Sequence, residues 1–269
     1  METESDILIL GGGCAGLSLA LKLAANRENC PSIVILESRS HYSNDRTWCF
    51  WDDGSAHLRE LVQHRWPIVT LAHRGRRVSV DCHTMPYAMI PAEKFYAHAT
   101  AALAKTARIT LAMDEPVISE PRKEGGLWRI ETRCGSRWAK RLIDTRPQRM
   151  PERGAAVLWQ SFSGQEIECD TDCFDPGVAR LMDFSPSENE RIAFLYLLPF
   201  SPRRALVEVT VLAPDPLGQE DLAEELAAYI QQQIGGLSHK VLRTEHGVLP
   251  MGQAAFDRAT DASHVRVGV

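Results

Sequence analysis

The sequence predicts an α/β protein in which two lobes are interleaved along the chain, one around a parallel β-sheet and one around a mainly antiparallel sheet. The first observation is an apolar strand at residues 6–10, followed by a glycine-rich turn, a helical pattern and a second apolar strand at 32–36. This order is typical of a βαβ unit. The second observation is a series of strand patterns between residues 154 and 211 that are separated by turn residues rather than by crossover helices.

Composition agrees with a globular protein and excludes several classes. The chain has 269 residues, a formal net charge of −5 and 44% hydrophobic residues, which argues against nucleic acid as a partner. No apolar run approaches the roughly 18 residues of a transmembrane helix. The seven cysteines and nine histidines lack zinc-ligand spacing, so we expect no metal and reduced thiols in a cytoplasmic protein. Nothing in the sequence predicts an oligomeric state.

The glycine-rich turn predicts a dinucleotide site. Gly11, Gly13 and Gly16 fit the pattern G-x-G-x-x-G. In this pattern the glycines allow a tight turn, a close backbone approach to a pyrophosphate and close packing of helix on strand. Glu37 follows the second strand, about 20 residues after Gly16, where a carboxylate accepts hydrogen bonds from a ribose. The alternative is a glycine-rich turn that serves packing alone.

The remaining patterns place the later elements in order. Residues 38–56 are predicted to form a polar, aromatic loop, and 141–144 to return to the first sheet. Further strands are expected at 66–71, 77–80, within 109–143, and at 156–168, 192–198, 204–211, 240–245 and 265–269. Apolar spacing predicts helices at 91–105, with Pro91 in the first turn, and at 217–234, with a glycine pair beyond its end.

Five segments together resemble one family, the bacterial lycopene β-cyclases of carotenoid biosynthesis. They are Asn44 to Asp53 (NDRTWCFWDD), Leu142 to Pro147 (LIDTRP), Gly164 to Glu166 (GQE), Met182-Asp183, and Phe194 to Arg204 (FLYLLPFSPRR). The resemblance implies an FAD-binding Rossmann-like domain at 1–65, 85–120, 137–150 and 262–269, interleaved with a mainly antiparallel substrate domain at 66–84 and 151–261. It also implies that a C-terminal part of the fold is missing.

The resemblance further implies a redox-neutral isomerase that closes the ends of lycopene, or of other linear carotenoids, into β-ionone rings, by way of γ-carotene to β-carotene. Its FAD is reduced by NADPH and acts as an electrostatic stabiliser. Such an enzyme is peripherally associated with a membrane surface. The basic segment 122–153 is either a solvated surface or a contact with anionic lipid headgroups.

Glu208 is the candidate acid. Ring closure starts with protonation of an alkene, a very weak base, so the acid must be strongly driven and lie in a dry pocket. A carboxylic acid that burial keeps protonated suits this. Glu208 is the only charged residue in the apolar strand 205–211 and fits the family's acidic motif, although Val209 replaces the second acid of that motif. The alternative is a glutamate that faces solvent on a half-buried strand.

Other candidates are less specific. Trp48, Phe50 and Trp51 either line the polyene pocket, where their rings stabilise a cation, or are core aromatics. Asp144 is expected near the flavin, with Pro147 in place of the family's glycine, and Glu245 either lies near the pocket or is an exposed acid at a strand end.

Two other functions stay open at this point. One is an FAD-dependent monooxygenase or related oxidoreductase on the same fold. The other is an inactive, truncated remnant that binds flavin or lipid, because residues 265–269 resemble a central strand at which the chain stops.

Overall fold

The computed structural model describes residues 4–54, 59–146, 158–185, 191–251 and 261–267, which form seventeen strands and three α-helices. The strands are β1 (Glu4–Leu10), β2 (Ile33–Leu36), β3 (Thr47–Trp51), β4 (His64–Trp66), β5 (Ile68–His73), β6 (Arg76–Asp81), β7 (Tyr87–Pro91), β8 (Ile109–Ala112), β9 (Arg122–Glu124), β10 (Leu127–Thr132), β11 (Gly135–Asp144), β12 (Leu158–Cys169), β13 (Val178–Asp183), β14 (Ile192–Pro199), β15 (Arg204–Ala213), β16 (His239–Met251) and β17 (His264–Arg266). The helices are α1 (Cys14–Ala25), α2 (Ala92–Leu103) and α3 (Ala223–Ile234).

Two compact units divide the chain, and both are discontinuous in sequence. The first contains Met1–Asp45, Ala92–Arg149 and Phe256–Val269, and the second contains Arg46–Pro91 and Met150–Ala255. The interleaving agrees with the sequence analysis, but the boundaries differ. Residues 46–65 and 85–91, predicted in the nucleotide-binding domain, lie in the second unit because β3, β4 and β7 pair with one another.

The first unit is built on a sheet of order β8-β2-β1-β11-β10-β9, with β17 beside β11. Strands β8, β2, β1 and β11 are parallel, and β10 and β9 continue the sheet antiparallel. Strand β1 is central and almost wholly buried, as expected for a strand covered on both faces. The predicted return of residues 141–144 to this sheet is confirmed, since Leu142 pairs with Leu8.

The second unit contains a sheet of order β16-β12-β15-β14-β13-β5-β6. All neighbours are antiparallel except β13 and β5. Helix α3 covers one face, where Leu226, Tyr229 and Ile230 pack on the alternate valines of β15. The helix ends at Gly235, whose φ of +62° is the left-handed conformation that glycine adopts most readily.

A three-stranded antiparallel sheet, β3-β7-β4, completes the second unit. The prediction of a loop through residues 38–56 was therefore wrong for 47–51, which pair with β7 from Thr47–Pro91 to Trp51–Tyr87. The aromatic and β-branched residues of this segment favour a strand, but the partner strand is distant in sequence. None of the helices in the described ranges is long and apolar enough to cross a membrane.

Candidate active site

The glycine-rich turn connects β1 to α1 in the first unit. Gly11 has a φ of +100°, and a Cβ atom on Gly16 would lie 2.1 Å from the carbonyl oxygen of Gly11. A Cβ atom on Gly13 would meet nothing within 4 Å. The backbone at Gly13 therefore faces open space at the start of α1, where helix N–H groups favour an anion such as a phosphate.

Glu37 directly follows β2 and lies against this turn. Its buried carboxylate accepts hydrogen bonds from the Gly12 amide at 3.0 Å and the Arg39 guanidinium at 2.9 Å through the same oxygen, Oε2. Burial by itself raises the pKa of Glu37, but the hydrogen bonds and positive charge of Arg39 bring it below its usual value. Glu37 is thus an ionised acceptor beside the glycine turn.

Arg39 belongs to a cluster that the sequence analysis missed. Its guanidinium lies 4.8 Å from the ring centre of Tyr42 and 5.1 Å from that of Tyr96, and these two rings are stacked at 4.1 Å. The Tyr42 hydroxyl donates to the Gly12 carbonyl oxygen at 2.8 Å. No local pattern could connect Tyr96, which lies on α2, with a loop that follows β2.

Asp144 ends β11, opposite Leu10 in the parallel register. Its carboxylate accepts two hydrogen bonds from the Arg146 side chain, at 2.9 and 2.8 Å. Although burial raises the pKa of Asp144, Arg146 brings it below the usual value. Pro147, the departure from the family pattern, lies outside the described residues. The three glycines, Glu37 and Asp144 thus lie at the carboxyl ends of the parallel strands of one sheet.

Glu208 lies in the second unit, on the face of β15 opposite α3. Across the sheet it stands in one row with Tyr196 of β14, Gly164 of β12 and Glu245 of β16. Glu208 is partly exposed as a residue, yet burial of its carboxyl raises the pKa to about 8, with a further upward contribution from the charge of Glu245. The Thr210 hydroxyl donates to its Oε1 at 3.0 Å. Alternation along β15 therefore places the Glu208 carboxyl on this face, where burial favours its protonated form.

Gly164 separates the two carboxyl groups. A Cβ atom on Gly164 would lie 3.3 Å from Cβ of Glu208 and 3.3 Å from Cγ of Glu245. Any larger residue would compete with both glutamates for the same space. The segment Gly164 to Glu166 matches the family motif, but the position of Gly164 between two acidic residues depends on the strand order.

An ionic network holds Glu245. The buried carboxylate accepts hydrogen bonds from Arg243 at 2.8 Å and from the Thr47 hydroxyl at 3.1 Å. Arg243 also donates to Glu166 at 3.2 Å, and Arg204 pairs with the other oxygen of Glu166. Glu245 is therefore a buried, paired acid of this face rather than an exposed acid at a strand end.

Strand β3 lies beside this face, but its three predicted pocket residues do not all lie on the side of the strand that meets it. Thr47 contacts Glu245, and Cys49, whose pKa is raised to about 12 mainly by burial, hydrogen-bonds Tyr87 and lies within the electrostatic reach of both glutamates. Because side chains alternate along a strand, Trp51 shares the side of Thr47 and Cys49, and Trp48 and Phe50 lie on the opposite side. Trp51 is 44% exposed and lies against Tyr87.

Other aromatic residues share the face of Glu208. Phe162 and Phe194 pair with Thr210 in the next row, and a Cβ atom on Gly247 would lie 2.5 Å from the Phe162 ring. Tyr196 contacts Phe194 with ring centres 5.5 Å apart. Strand alternation groups Phe194 with Tyr196, but only the register between strands places them beside Glu208.

The fold of the chain is shared by a class of solved structures. The chain resembles a geranylgeranyl bacteriochlorophyll reductase-like protein from Thermoplasma acidophilum with a TM-score of 0.75 and 14% identity, over 99% of this chain and 71% of that one. It resembles p-nitrophenol 4-monooxygenase from Pseudomonas putida with a TM-score of 0.73 and 18% identity, over 100% of this chain and 73% of that one. The fold is that of these reductase-like and monooxygenase proteins.

Sequence similarity specifies the family within this class. The family described as lycopene cyclase protein matches residues 6–269. The lycopene beta-cyclase of Paracoccus sp. is 30% identical over 93% of this chain and 62% of its own length, and that of Pantoea ananas is 26% identical over 93% and 63%. The chain belongs to the lycopene cyclase family. It spans about three fifths of the length of these curated relatives.

Proposed function

We propose that this chain carries the acid-catalysed cyclisation of lycopene ends to β-rings, a redox-neutral isomerisation. The observation that carries the proposal is Glu208, a carboxyl whose pKa of about 8 keeps it protonated at neutral pH on a face with aromatic side chains. An alkene accepts a proton only from an acid that is placed against it in a dry environment. Family membership supports lycopene, or another linear carotenoid, as the substrate.

The reaction needs one proton at its start and releases one at its end. Glu208 donates a proton to the terminal C=C bond, which leaves a tertiary carbocation. The next suitably placed double bond of the same chain attacks this cation and closes the six-membered ring. Loss of a ring proton then restores a C=C bond. Phe162, Phe194 and Tyr196 share the face of Glu208. Their rings would pack on an apolar polyene, and aromatic faces stabilise a cation.

The first unit fits FAD, which we propose as the cofactor. Gly11, Gly13 and Gly16 would hold the pyrophosphate, because the space at Gly13 is open and the start of α1 faces it. Glu37 would accept hydrogen bonds from the ribose hydroxyls in addition to those from Arg39 and Gly12. Asp144 would lie at the same edge of the sheet. When bound in its reduced form, with NADPH as the reductant, FAD supplies negative charge that stabilises a cation.

We further propose a peripheral location on the cytoplasmic side of a membrane, with the hairpin β5–β6 as the contact. Leu71 and Val78 pair across this hairpin and are both exposed, with Val80 on the same side. Arg74 lies in the turn and Arg76 directly follows it, and both are exposed. An apolar stripe with adjacent cations suits an anionic lipid surface.

The basic segment 122–153 is less suited to this contact than its local charge implied. In its described part, acids from elsewhere pair with its cations: Glu115 with Arg137, Asp6 with Lys140 and Asp261 with Lys123. These pairs leave less positive charge for anionic headgroups.

Cells that accumulate lycopene provide the test of the cyclisation. Wild type is expected to convert lycopene to ring-closed carotenoids of unchanged mass, and Glu208→Gln to lower the conversion by about 10²–10⁴-fold, the usual contribution of a general acid. Glu168→Gln, an exposed glutamate on β12, is the matched control and should retain wild-type conversion.

Three other outcomes would contradict the proposal in different ways. Products with added oxygen would indicate a monooxygenase. No product from wild type or either variant would indicate a non-catalytic flavin- or lipid-binding protein. Equal β-ring formation by wild type and Glu208→Gln would exclude Glu208 as the acid.

A further inference from the structure

The Glu245 carboxyl has no role so far in the proposed cyclisation. Glu208 and Glu245 pair with the same residue, Gly164, from opposite sides, so both side chains border the space that Gly164 leaves empty. Their partners differ in charge. Glu245 accepts from the Arg243 guanidinium, whereas Glu208 accepts from the neutral hydroxyl of Thr210.

The charges of the residues around Gly164 indicate which of the two carboxyl groups, Glu208 or Glu245, is protonated. Arg204 and Arg243 are each bonded to Glu166, and Arg243 is bonded to Glu245 as well. Two guanidinium charges thus balance two carboxylates, and within this cluster a third negative charge on Glu208 would be uncompensated. Neighbouring carboxyl groups whose surroundings differ in this way divide into one acid and one base.

We infer that Glu245 is the base that removes the ring proton in the last step and then returns a proton to Glu208 across the gap at Gly164. The inference rests on the proposed cyclisation. In the first step the O–H bond of Glu208 breaks and a C–H bond forms on the terminal alkene. After ring closure, a C–H bond beside the new cation breaks, its electrons form the ring C=C bond, and the proton goes to the Glu245 carboxylate.

Proton balance requires the return step. After one ring closure Glu208 is a carboxylate and Glu245 is protonated, so a proton passing from Glu245 to Glu208 restores both groups without an oxidant, a reductant or a net proton. Gly164 suits this transfer because it places no side chain between the two groups. Thr47 and Arg243 hold the Glu245 carboxylate in place for it.

The position of the ring double bond tests the assignment of the base. With Glu245→Gln, the cation formed by ring closure is expected to lose a proton from another neighbouring carbon. The variant should then give rings whose double bond lies elsewhere, with formation of the β-ring about 10²–10⁴-fold slower. Glu245→Asp should restore β-rings in part, and Glu168→Gln should give wild-type rings. A structural role alone would lower the yield and leave the ring type unchanged.

Infrared titration of the purified chain tests the carboxyl pair without turnover. The infrared band of the protonated Glu208 carboxyl is identified as the band that is absent in Glu208→Gln. In Glu245→Gln this band should titrate at lower pH than in wild type, because the negative charge of Glu245 is gone. An unchanged titration, or β-rings formed by Glu245→Gln at the wild-type rate, would overturn the inference. Failure of wild type to cyclise lycopene would instead overturn the proposed function, and the titration would still decide whether the two carboxyls are coupled.

Discussion

Glycine occupies three positions of this chain whose surroundings differ physically. Gly16 lies so close to the Gly11 carbonyl that a methyl group would overlap it, whereas the space beside Gly13 is open. Gly164 leaves room between two carboxyl groups. Packing therefore requires Gly16, the proposed pyrophosphate contact would require Gly13, and Gly164 leaves space between two carboxyl groups.

Alanine substitution should separate packing from cofactor binding. Gly16→Ala is expected to lower the free energy of unfolding by about 1–3 kcal/mol, the usual cost of overpacking, because helix or turn must move. Gly13→Ala should cost at most about 1 kcal/mol, because alanine is a poorer N-cap of α1 than glycine, but lose FAD, since its methyl group would occupy the proposed pyrophosphate space. Urea unfolding and flavin absorbance of the purified proteins measure the two effects. Equal stability of Gly16→Ala and wild type would contradict this account of the turn.

At the scale of elements, the second sheet presents two different surfaces. Its α3 face is an apolar core, in which Val207, Val209 and Val211 pack on the helix. Its other face carries the carboxyl groups and aromatic rings described above. At the edge of the sheet, β6 is exposed along its whole length, which is uncommon for a strand with valines because exposed apolar edges promote association. Contact with a lipid surface would cover this edge.

Charge reversal at the hairpin tests the membrane contact. The double variant Arg74→Glu and Arg76→Glu is expected to float with anionic vesicles much less than wild type, since each nearby cation contributes about 1 kcal/mol to such binding. The control is Lys94→Glu with Lys105→Glu, which makes the same change in net charge at exposed positions of the first unit. If both double variants bind equally well, the hairpin is not the contact.

At the scale of the whole molecule, the protonation of Glu208 links stability to pH. The groups around it are Glu245 and Arg243 on β16, Tyr196 on β14 and Cys49 on β3, with Tyr87 on β7. Folding raises the Glu208 pKa from 4.5 to about 8. Between these values the folded chain holds a proton that the unfolded chain has lost, so this contribution to stability falls as pH rises.

Comparison of wild type with Glu208→Gln isolates this effect. From pH 5 to 7.5 the free energy of unfolding of wild type should fall relative to the variant, by at most about 1.4 kcal/mol per pH unit, and the difference should level off above pH 8. Urea unfolding at intervals across this range measures it. A difference that is constant with pH would mean that the Glu208 carboxyl titrates alike in the folded and unfolded chain.

The predictability of the site depended on how far apart its residues are in sequence. The turn from Gly11 to Gly16 was predicted because a strand, three glycines and a helix follow one another directly. The face of Glu208 opposite the valines of β15 followed from alternation within one strand. By contrast, the cluster of Arg39 with Tyr96 joins a loop to a helix, and local patterns carry no information on such a pair.

The sequence by itself determined the βαβ start, the apolar strand that carries Glu208 and the family resemblance, since these depend on local order and composition. Only the tertiary structure decided that β12 lies between β15 and β16, so that Gly164 separates Glu208 from Glu245. The physical reason is that strand order and register arise from backbone hydrogen bonds between distant segments, whereas periodicity describes one segment at a time. The second carboxyl group therefore became part of the candidate site through pairing across the sheet.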